Sequence, residues 1–477
     1  MTKGWWLPAE LRHLVDDVRP RRHATPEHGD FDVEMPCITS DALAEAARAL
    51  RGRAERELQR RPIAEIVDRL DETAIRWLDP SDPHRRTAIE TIPRITGHSP
   101  EMVALAIELE QRSSRGDHLL ACLRSEVGDP AALDRFRSSG HLAPGGENRA
   151  FGPGLVGGVF SANIPALPHL TIMRALLVKS ACLGRSSAGE PAFLPLYLRS
   201  LEEIDADLAS CLGVLWWERE AETHWTSFFD ETDFVVAYGG TQAERELRAR
   251  MPAGLPLLFH GHRLGVSIVG VPEDAESRDD LAARLAYDAT VFDQHACLSP
   301  HVVLALGSFD ACAELGVDVG RQMERWREEL PPRVLEPALA AALAQLRGVA
   351  EISEALGSPT RLLTPTDRSS AWTILVEDVD GLPPSPLDRF LRIVPHESIN
   401  AVLERLRPAR RWLQNVAIEL GANEDDAAAL REALARLGAT RICPPGQMAT
   451  PSMMWHHDGR ACVGAMVRWC DREGSAP

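Results

Sequence analysis

Cys297 stands in Phe292-Asp293-Gln294-His295-Ala296-Cys297-Leu298-Ser299-Pro300-His301, between a predicted helix and a predicted apolar strand. A side chain on such a connection reaches the edge of a sheet, where ligands are met. As a thiolate it would attack a carbonyl carbon and hold the acyl group covalently. On spacing alone, a packing role is the commoner one for a lone cysteine, and His295 and His301 are unspecific. The 9 cysteines are odd in number and show no CxxC spacing, so neither a disulfide framework nor a metal-thiolate site is expected. Asn163, His260 and His262 also fall at the ends of predicted strands. Read as residue types, they are a loop asparagine stabilising its own turn and two structural histidines.

The elements that position these residues follow from periodicity. Ala, Leu, Arg and Glu at helical spacing from Ser40 to Leu78 predict a helical layer, with Ser40 or Asp41 capping its first turn. After the turn Pro144-Gly145-Gly146, the run Gly154 to Phe160 predicts a strand ending in a loop at Asn163. A helix is expected from Thr171 to Ala181, stopped by Gly184, and Arg185 to Pro191 should open another. Next come a strand at Asp233 to Ala237, the turn Tyr238-Gly239-Gly240-Thr241, a helix from Gln242 to Met251, and strands at Leu255 to Phe259 and Val266 to Val269. A helix to Tyr287, the Cys297 turn, a strand at Val302 to Leu306 and a helix from Asp310 continue the alternation. Such alternation predicts an α/β fold with a largely parallel, doubly wound sheet.

Three blocks in this order resemble a family: Ser161 to Pro165, Ala175 to Pro191, and Gln294 to Pro300. Together they are similar to the fatty-acyl-CoA reductases of bacterial luminescence, a branch of the aldehyde dehydrogenase superfamily. His260-Gly261-His262-Arg263-Leu264-Gly265, Arg441-Ile442-Cys443-Pro444 and Trp455-His456-His457-Asp458-Gly459-Arg460 resemble further blocks, so the likeness spans about residues 150 to 470. It implies an aldehyde-dehydrogenase-like fold with a doubly wound cofactor domain, an α/β catalytic domain and a small oligomerisation element. The implied division is 1–135 as the N-terminal helical part of the cofactor domain and 136–264 as its nucleotide-binding core. Residues 265–439 would form the catalytic domain with Cys297, and 440–477 the C-terminal oligomerisation segment.

The resemblance also implies roles. Cys297 becomes the acyl-accepting thiolate, and Asn163 offers its NH2 to the oxyanion together with the backbone N–H of Cys297. In the oxidising dehydrogenases a glutamate activates the hydrolytic water; the aligned position here is Phe259, so reduction is favoured over hydrolysis. His260 or His262 could then serve as a substitute base or a substrate contact. The ribose-binding Lys-Pro-Ser-Glu turn becomes Arg185-Ser186-Ser187-Ala188. Loss of its carboxylate and gain of an arginine favour the 2′-phosphate of NADPH over NADH. Gly239, Gly240 and Thr241 would lay the pyrophosphate on a helix N-terminus. No segment matches the Glu-Ile-Phe-Gly-Pro block that holds the nicotinamide ribose, Gly381 to Arg392 being the nearest candidate.

The expectation is therefore an NADPH-dependent reductase that converts an acyl thioester of coenzyme A or an acyl carrier protein to an aldehyde. It would work as a homo-oligomer, with an acyl-transfer or acyl-activating enzyme as a partner. The alternatives are an NAD(P)-dependent dehydrogenase that oxidises an aldehyde, and a non-catalytic nucleotide-binding partner of an acyl-transfer complex. The formal charge of −18, from 52 basic and 70 acidic residues, argues against a nucleic-acid surface. The first residues lack a secretory pattern, and the apolar run Ile164 to Leu183 is interrupted by His169, Arg174 and Lys179, so a cytoplasmic protein without a membrane span is expected.

Overall fold

Short apolar strands alternate with amphipathic helices along most of the chain, and that alternation builds two parallel sheets. The structure is a computed structural model that describes residues 2–140, 142, 145–421 and 424–473. Pro144 of the expected glycine-rich turn lies outside the described residues. Backbone contacts divide the chain into two units, 1–261 with 452–477, and 262–451. The C-terminal tail from Ser452 packs with the first unit.

The first unit carries a five-stranded parallel sheet in the order Leu257–His260, Phe234–Tyr238, Leu155–Val159, Ala181–Arg185, Leu212–Leu215. The strands are buried on both faces, and for that reason they read as continuous apolar runs. Chain order runs outward from Leu155–Val159 in one direction and then restarts on its other side at Phe234–Tyr238. That reversal is a topological switch point, with the loops after both strands at the carboxyl edge. The Ser40–Glu57 and Ile63–Leu78 helices form as expected, the first capped by the Thr39 hydroxyl, one residue earlier than anticipated. An N-terminal hairpin, Asp17–Thr25 with Gly29–Cys37, precedes them, and the tail strand Arg468–Arg472 pairs antiparallel with Glu147–Phe151.

One expected element is corrected. The helix predicted to run to Ala181 ends at Leu177, and Ala181–Arg185 is a central strand. Lys179, at φ 59°, ends the helical run, held by its ammonium on Asp134 at 2.6 Å. Gly184 is not a helix stop. It is the strand position against which the Phe160 ring lies, with 2.3 Å between that ring and any added Cβ. A fully buried strand and a buried helix both read as unbroken apolar sequence, so periodicity could not separate them.

The second unit carries a seven-stranded sheet in the order Thr360–Leu363, Thr373–Glu377, Phe390–His396, Pro300–Leu306, Leu264–Gly270, Leu413–Glu419, Arg441–Cys443. All neighbours run parallel except the first pair. The helices Ala275–Thr290 and Phe309–Glu329 pack on one face around Leu281, Leu285, Leu315 and Val319. On the other face lie Val402, Leu406, Leu430 and Leu434. Because the strands are parallel, the segments entering Leu264, Pro300 and Phe390 share the amino edge of the sheet. No helix among the described residues is long and apolar enough to cross a membrane.

Candidate active site

In the first unit, the expected residues gather at the carboxyl edge of the sheet. Asn163 lies half-buried in the loop after Leu155–Val159. Ser161 Oγ donates to its Oδ1 at 2.5 Å, which turns the carboxamide NH2 to the opposite side. Further along the loop, Ala166 adopts φ 72° and its carbonyl accepts from His169 Nδ1 at 2.8 Å. Burial pushes the His169 imidazole down to about 4. It is therefore neutral at pH 7 and serves the packing of the loop.

Arg185 ends the second strand. Its Nη2 donates to the Trp217 carbonyl at 2.7 Å, and the guanidinium lies 5.5 and 5.0 Å from the Trp217 and Trp225 rings. Burial lowers it to about 10, so it remains charged, and its Nε has no acceptor among the described residues. Ser186 is buried and donates to the Leu215 carbonyl at 3.3 Å, while Ser187 Oγ accepts from the Gly189 amide at 3.2 Å. The acidic side chain of this turn, Glu190, faces inward, where it accepts from the Ala192 and Phe193 amides at 2.8 and 2.9 Å. Burial raises its carboxyl to about 7.

Gly239 and Gly240 close the strand Phe234–Tyr238, and the helix begins at Thr241, one residue before the expected start. Among the described residues no side chain caps the start of this helix, and a Cβ on Gly240 would meet none of their atoms within 4 Å. Its first amides are thus open to an anion, which is the arrangement a nucleotide pyrophosphate requires.

Leu257–His260 ends in a cluster whose partners the sequence separates by about 200 residues. His260 Nδ1 lies 3.0 Å from Asp458 Oδ2, and both side chains are almost fully buried. The His260 ring stacks on Tyr238 at 5.0 Å and on His457 at 3.9 Å, and His457 stacks on Trp455 at 4.6 Å. Nitrogen atoms of the two histidines and an Asp458 oxygen lie within 4.8 Å of one another. The two imidazoles are inclined by only 19°, so their in-plane lone pairs run side by side instead of converging on one ion. The arrangement suits a carboxylate-held imidazole better than a metal centre. Phe259, one residue earlier, is buried and apolar.

In the second unit, the site residues lie at the amino edge of the sheet. Cys297 is half-buried in the turn before Pro300–Leu306. Elsewhere in the chain, burial pushes the Cys182, Cys211 and Cys122 thiols up to about 12, and those of Cys312 and Cys443 to about 11. Such thiols are inert at neutral pH. Asn415, fully buried, donates to the Leu298 carbonyl at 2.7 Å. The turn passes so close to the neighbouring strand that a Cβ on Gly265 would lie 2.2 Å from the Ser299 carbonyl oxygen. His262 is exposed, with its ring 6.1 Å from that of His301. His301 is pushed down to about 4 by burial, and then by His262 and His295.

Comparison with known proteins agrees with this architecture. The chain superposes on a salicylaldehyde dehydrogenase from Pseudomonas putida G7 with a TM-score of 0.73 at 12% identity, covering 100% of this chain and 99% of that one. It matches an NADP-dependent glyceraldehyde-3-phosphate dehydrogenase from Bacillus halodurans C-125 with a TM-score of 0.70 at 14% identity, over 99% and 98% of the two chains. The fold is that of the aldehyde dehydrogenases. Residues 58–469 match the family described as acyl-CoA reductase (LuxC), and the chain belongs to that family of oxidoreductases. It is 23% identical to a long-chain acyl-protein thioester reductase of Aliivibrio fischeri over 419 residues, 86% of this chain and 82% of that protein. It is 24% identical to long-chain acyl-protein thioester reductase 2 of Photobacterium leiognathi over 452 residues, 92% and 87% of the two.

Proposed function

We propose that this enzyme reduces an acyl thioester to an aldehyde with NADPH, through an acyl group carried on Cys297. The observation that carries the reading is the placement of Cys297, half-buried in a turn at the sheet edge, in a chain of the acyl-CoA reductase family. The thiolate attacks the thioester carbonyl, and Asn163 and the Cys297 amide receive the oxyanion. The carrier thiolate departs and takes up a proton. When bound, the nucleotide supplies a hydride to the acyl carbon. The resulting thiohemiacetal collapses, releasing the aldehyde and restoring the Cys297 thiol. Per turnover one thioester, one NADPH and one proton give one aldehyde, one free thiol and one NADP+.

Phe259, where the oxidising enzymes keep a glutamate, supports reduction: an apolar ring cannot activate water to release a free acid. For the nucleotide, Gly239, Gly240 and Thr241 offer open helix amides to the pyrophosphate. Arg185 and Ser187 supply the 2′-phosphate end, Ser186 lying buried behind them. Ala188 stands where a carboxylate would grip a free 2′-hydroxyl, and the nearby Glu190 is committed to the next helix, which supports NADPH over NADH. His260, held by Asp458, is the side chain of this region best arranged to carry a proton.

The thioester is that of coenzyme A or of an acyl carrier protein, and an acyl-transfer or acyl-activating enzyme is the partner that would deliver it. The working protein is a cytoplasmic homo-oligomer. The test is to incubate the protein with an acyl-CoA without nucleotide and map the adduct by peptide mass spectrometry. An acyl mass on Cys297, absent in Cys297→Ala, is expected; an acyl mass on another residue, with Cys297 unmodified, contradicts the reading.

A further inference from the structure

The turn leading to Cys297 is held in a conformation its residues do not prefer. Phe292, Asp293 and Gln294 have φ of 56°, 49° and 63°, and Leu387, Asp388 and Arg389 have φ of 64°, 55° and 59°. None of the six is glycine. In an L-residue the left-handed conformation crowds Cβ against the carbonyl, so runs of three persist only where the surroundings over-determine them.

The two runs determine each other. The Asp388 amide donates to the Asp293 carbonyl at 3.0 Å. Arg389 Nε donates to Asp293 Oδ1 at 2.7 Å, and both side chains are fully buried. Gln294 Nε2 donates to the Pro300 and Phe390 carbonyls at 2.9 and 3.0 Å, closing the turn on both sides of Cys297. The Asp388 carboxylate then reaches the residue two places before the thiol. Its Oδ1 accepts from Arg333 Nε at 2.7 Å and lies 3.0 Å from His295 Nε2. Arg333 Nη2 is also 2.6 Å from that same nitrogen. One ring nitrogen cannot accept from Arg333 and donate to Asp388 at once. His295 Nε2 therefore pairs with either the carboxylate or the guanidinium, and Arg333 stays bound to Asp388 in both arrangements. Burial opposes the charge on Asp388, but His295 and Arg333 outweigh it and hold its carboxyl below the usual range. A buried ion-pair network of this kind adds little net stability over apolar packing; what it fixes is geometry.

We propose that Asp388, acting with Arg333 through His295, is a positioning residue for Cys297, locking the left-handed turn so that the thiol is presented in a single orientation. This rests on the reading of Cys297 as the acyl-accepting nucleophile. It also gives a use to the segment 381–392, whose carboxylate is turned towards the nucleophile's own turn.

The test compares the full-length wild type with Asp388→Ala, Asp388→Glu and Arg333→Lys in three measurements. These are the pH profile of Cys297 alkylation by iodoacetamide, kcat and KM with NADPH and an acyl-CoA, and Tm. Asp388→Ala is expected to slow alkylation and lower kcat by about tenfold to a hundredfold while both KM values stay within about threefold, the pattern of a displaced nucleophile. Asp388→Glu should recover part of the loss, and Arg333→Lys, which keeps the charge but loses the fork, should resemble the alanine variant. Alkylation and kcat close to wild type in variants whose Tm alone has fallen would overturn the proposal. If Asp388→Ala does not fold, the Glu and Lys variants decide on the same measurements. If the wild type turns over neither an acyl-CoA nor an acyl-carrier-protein ester, the reading of the reaction fails, and the alkylation profile still decides the role of Asp388.

Discussion

Close to Cys297 in sequence, His301 has its protonation set first by burial. Burial pushes its imidazole down to about 4, from the ordinary value of about 6.5. Its folded pKa lies below its unfolded one, so as pH falls from about 6.5 to about 4 the unfolded chain takes up the proton first and stability is lost. His169, also at about 4, adds to the same slope. His301→Gln should flatten the fall in urea midpoint across that window, and an unchanged slope would mean that His301 is protonated in the folded protein. The placing of Cys297 and Asn163 in loops at strand ends was legible in the sequence because each stands in a block of local residues. The partnership of His260 with Asp458 was not, although both residues were noticed. Their 3.0 Å contact joins residues 198 positions apart, and no local pattern encodes it. Arg185 was legible as a cation, but its packing against Trp217 and Trp225 depends on helix placement that residue order does not specify.

At the scale of elements, the strands that position the site read well from sequence where turn residues bounded them, as at Phe234–Tyr238 with Gly239-Gly240 following. Ala181–Arg185 was misread because a strand buried on both faces has no alternation to distinguish it from the end of a buried helix. The hairpin Asp17–Cys37 escaped because its charged, half-exposed strands lack a strong apolar period. The Cys297 turn illustrates how one element disciplines another. Gly265, on the adjacent strand, leaves room for the Ser299 carbonyl that no side chain would allow. Gly265→Ala should cost about 1–3 kcal/mol in chemical unfolding, as overpacking does, and should lower kcat by moving the turn. A variant with full stability and full activity would show that the turn adjusts freely and does not depend on this fit.

For the whole molecule, the α/β class, the aldehyde-dehydrogenase fold and the acyl-CoA reductase family were legible because the order of the blocks along the chain is itself a constraint that chance rarely meets. The switch point at Leu155–Val159 brings Asn163, Arg185 and Gly239 to one sheet edge, and parallel order brings Cys297, His262 and Asp388 to one edge of the other sheet. The net charge of −18 acts on substrates at a distance. Acyl-CoA esters are polyanions, so kcat/KM for them should rise with salt over the range where the Debye length falls from about 30 to about 8 Å. A fall with salt would place a local basic surface in control of capture.

Reduction of a thioester through Cys297 is tested by the nicotinamide absorbance of purified protein given NADPH and a panel of acyl-CoA and acyl-carrier-protein esters. Wild type should consume NADPH and release aldehyde and free thiol in equal amounts, faster than with NADH, while Cys297→Ala binds NADPH and consumes none. NADPH consumption that survives in Cys297→Ala, or free acid in place of aldehyde, would contradict the account.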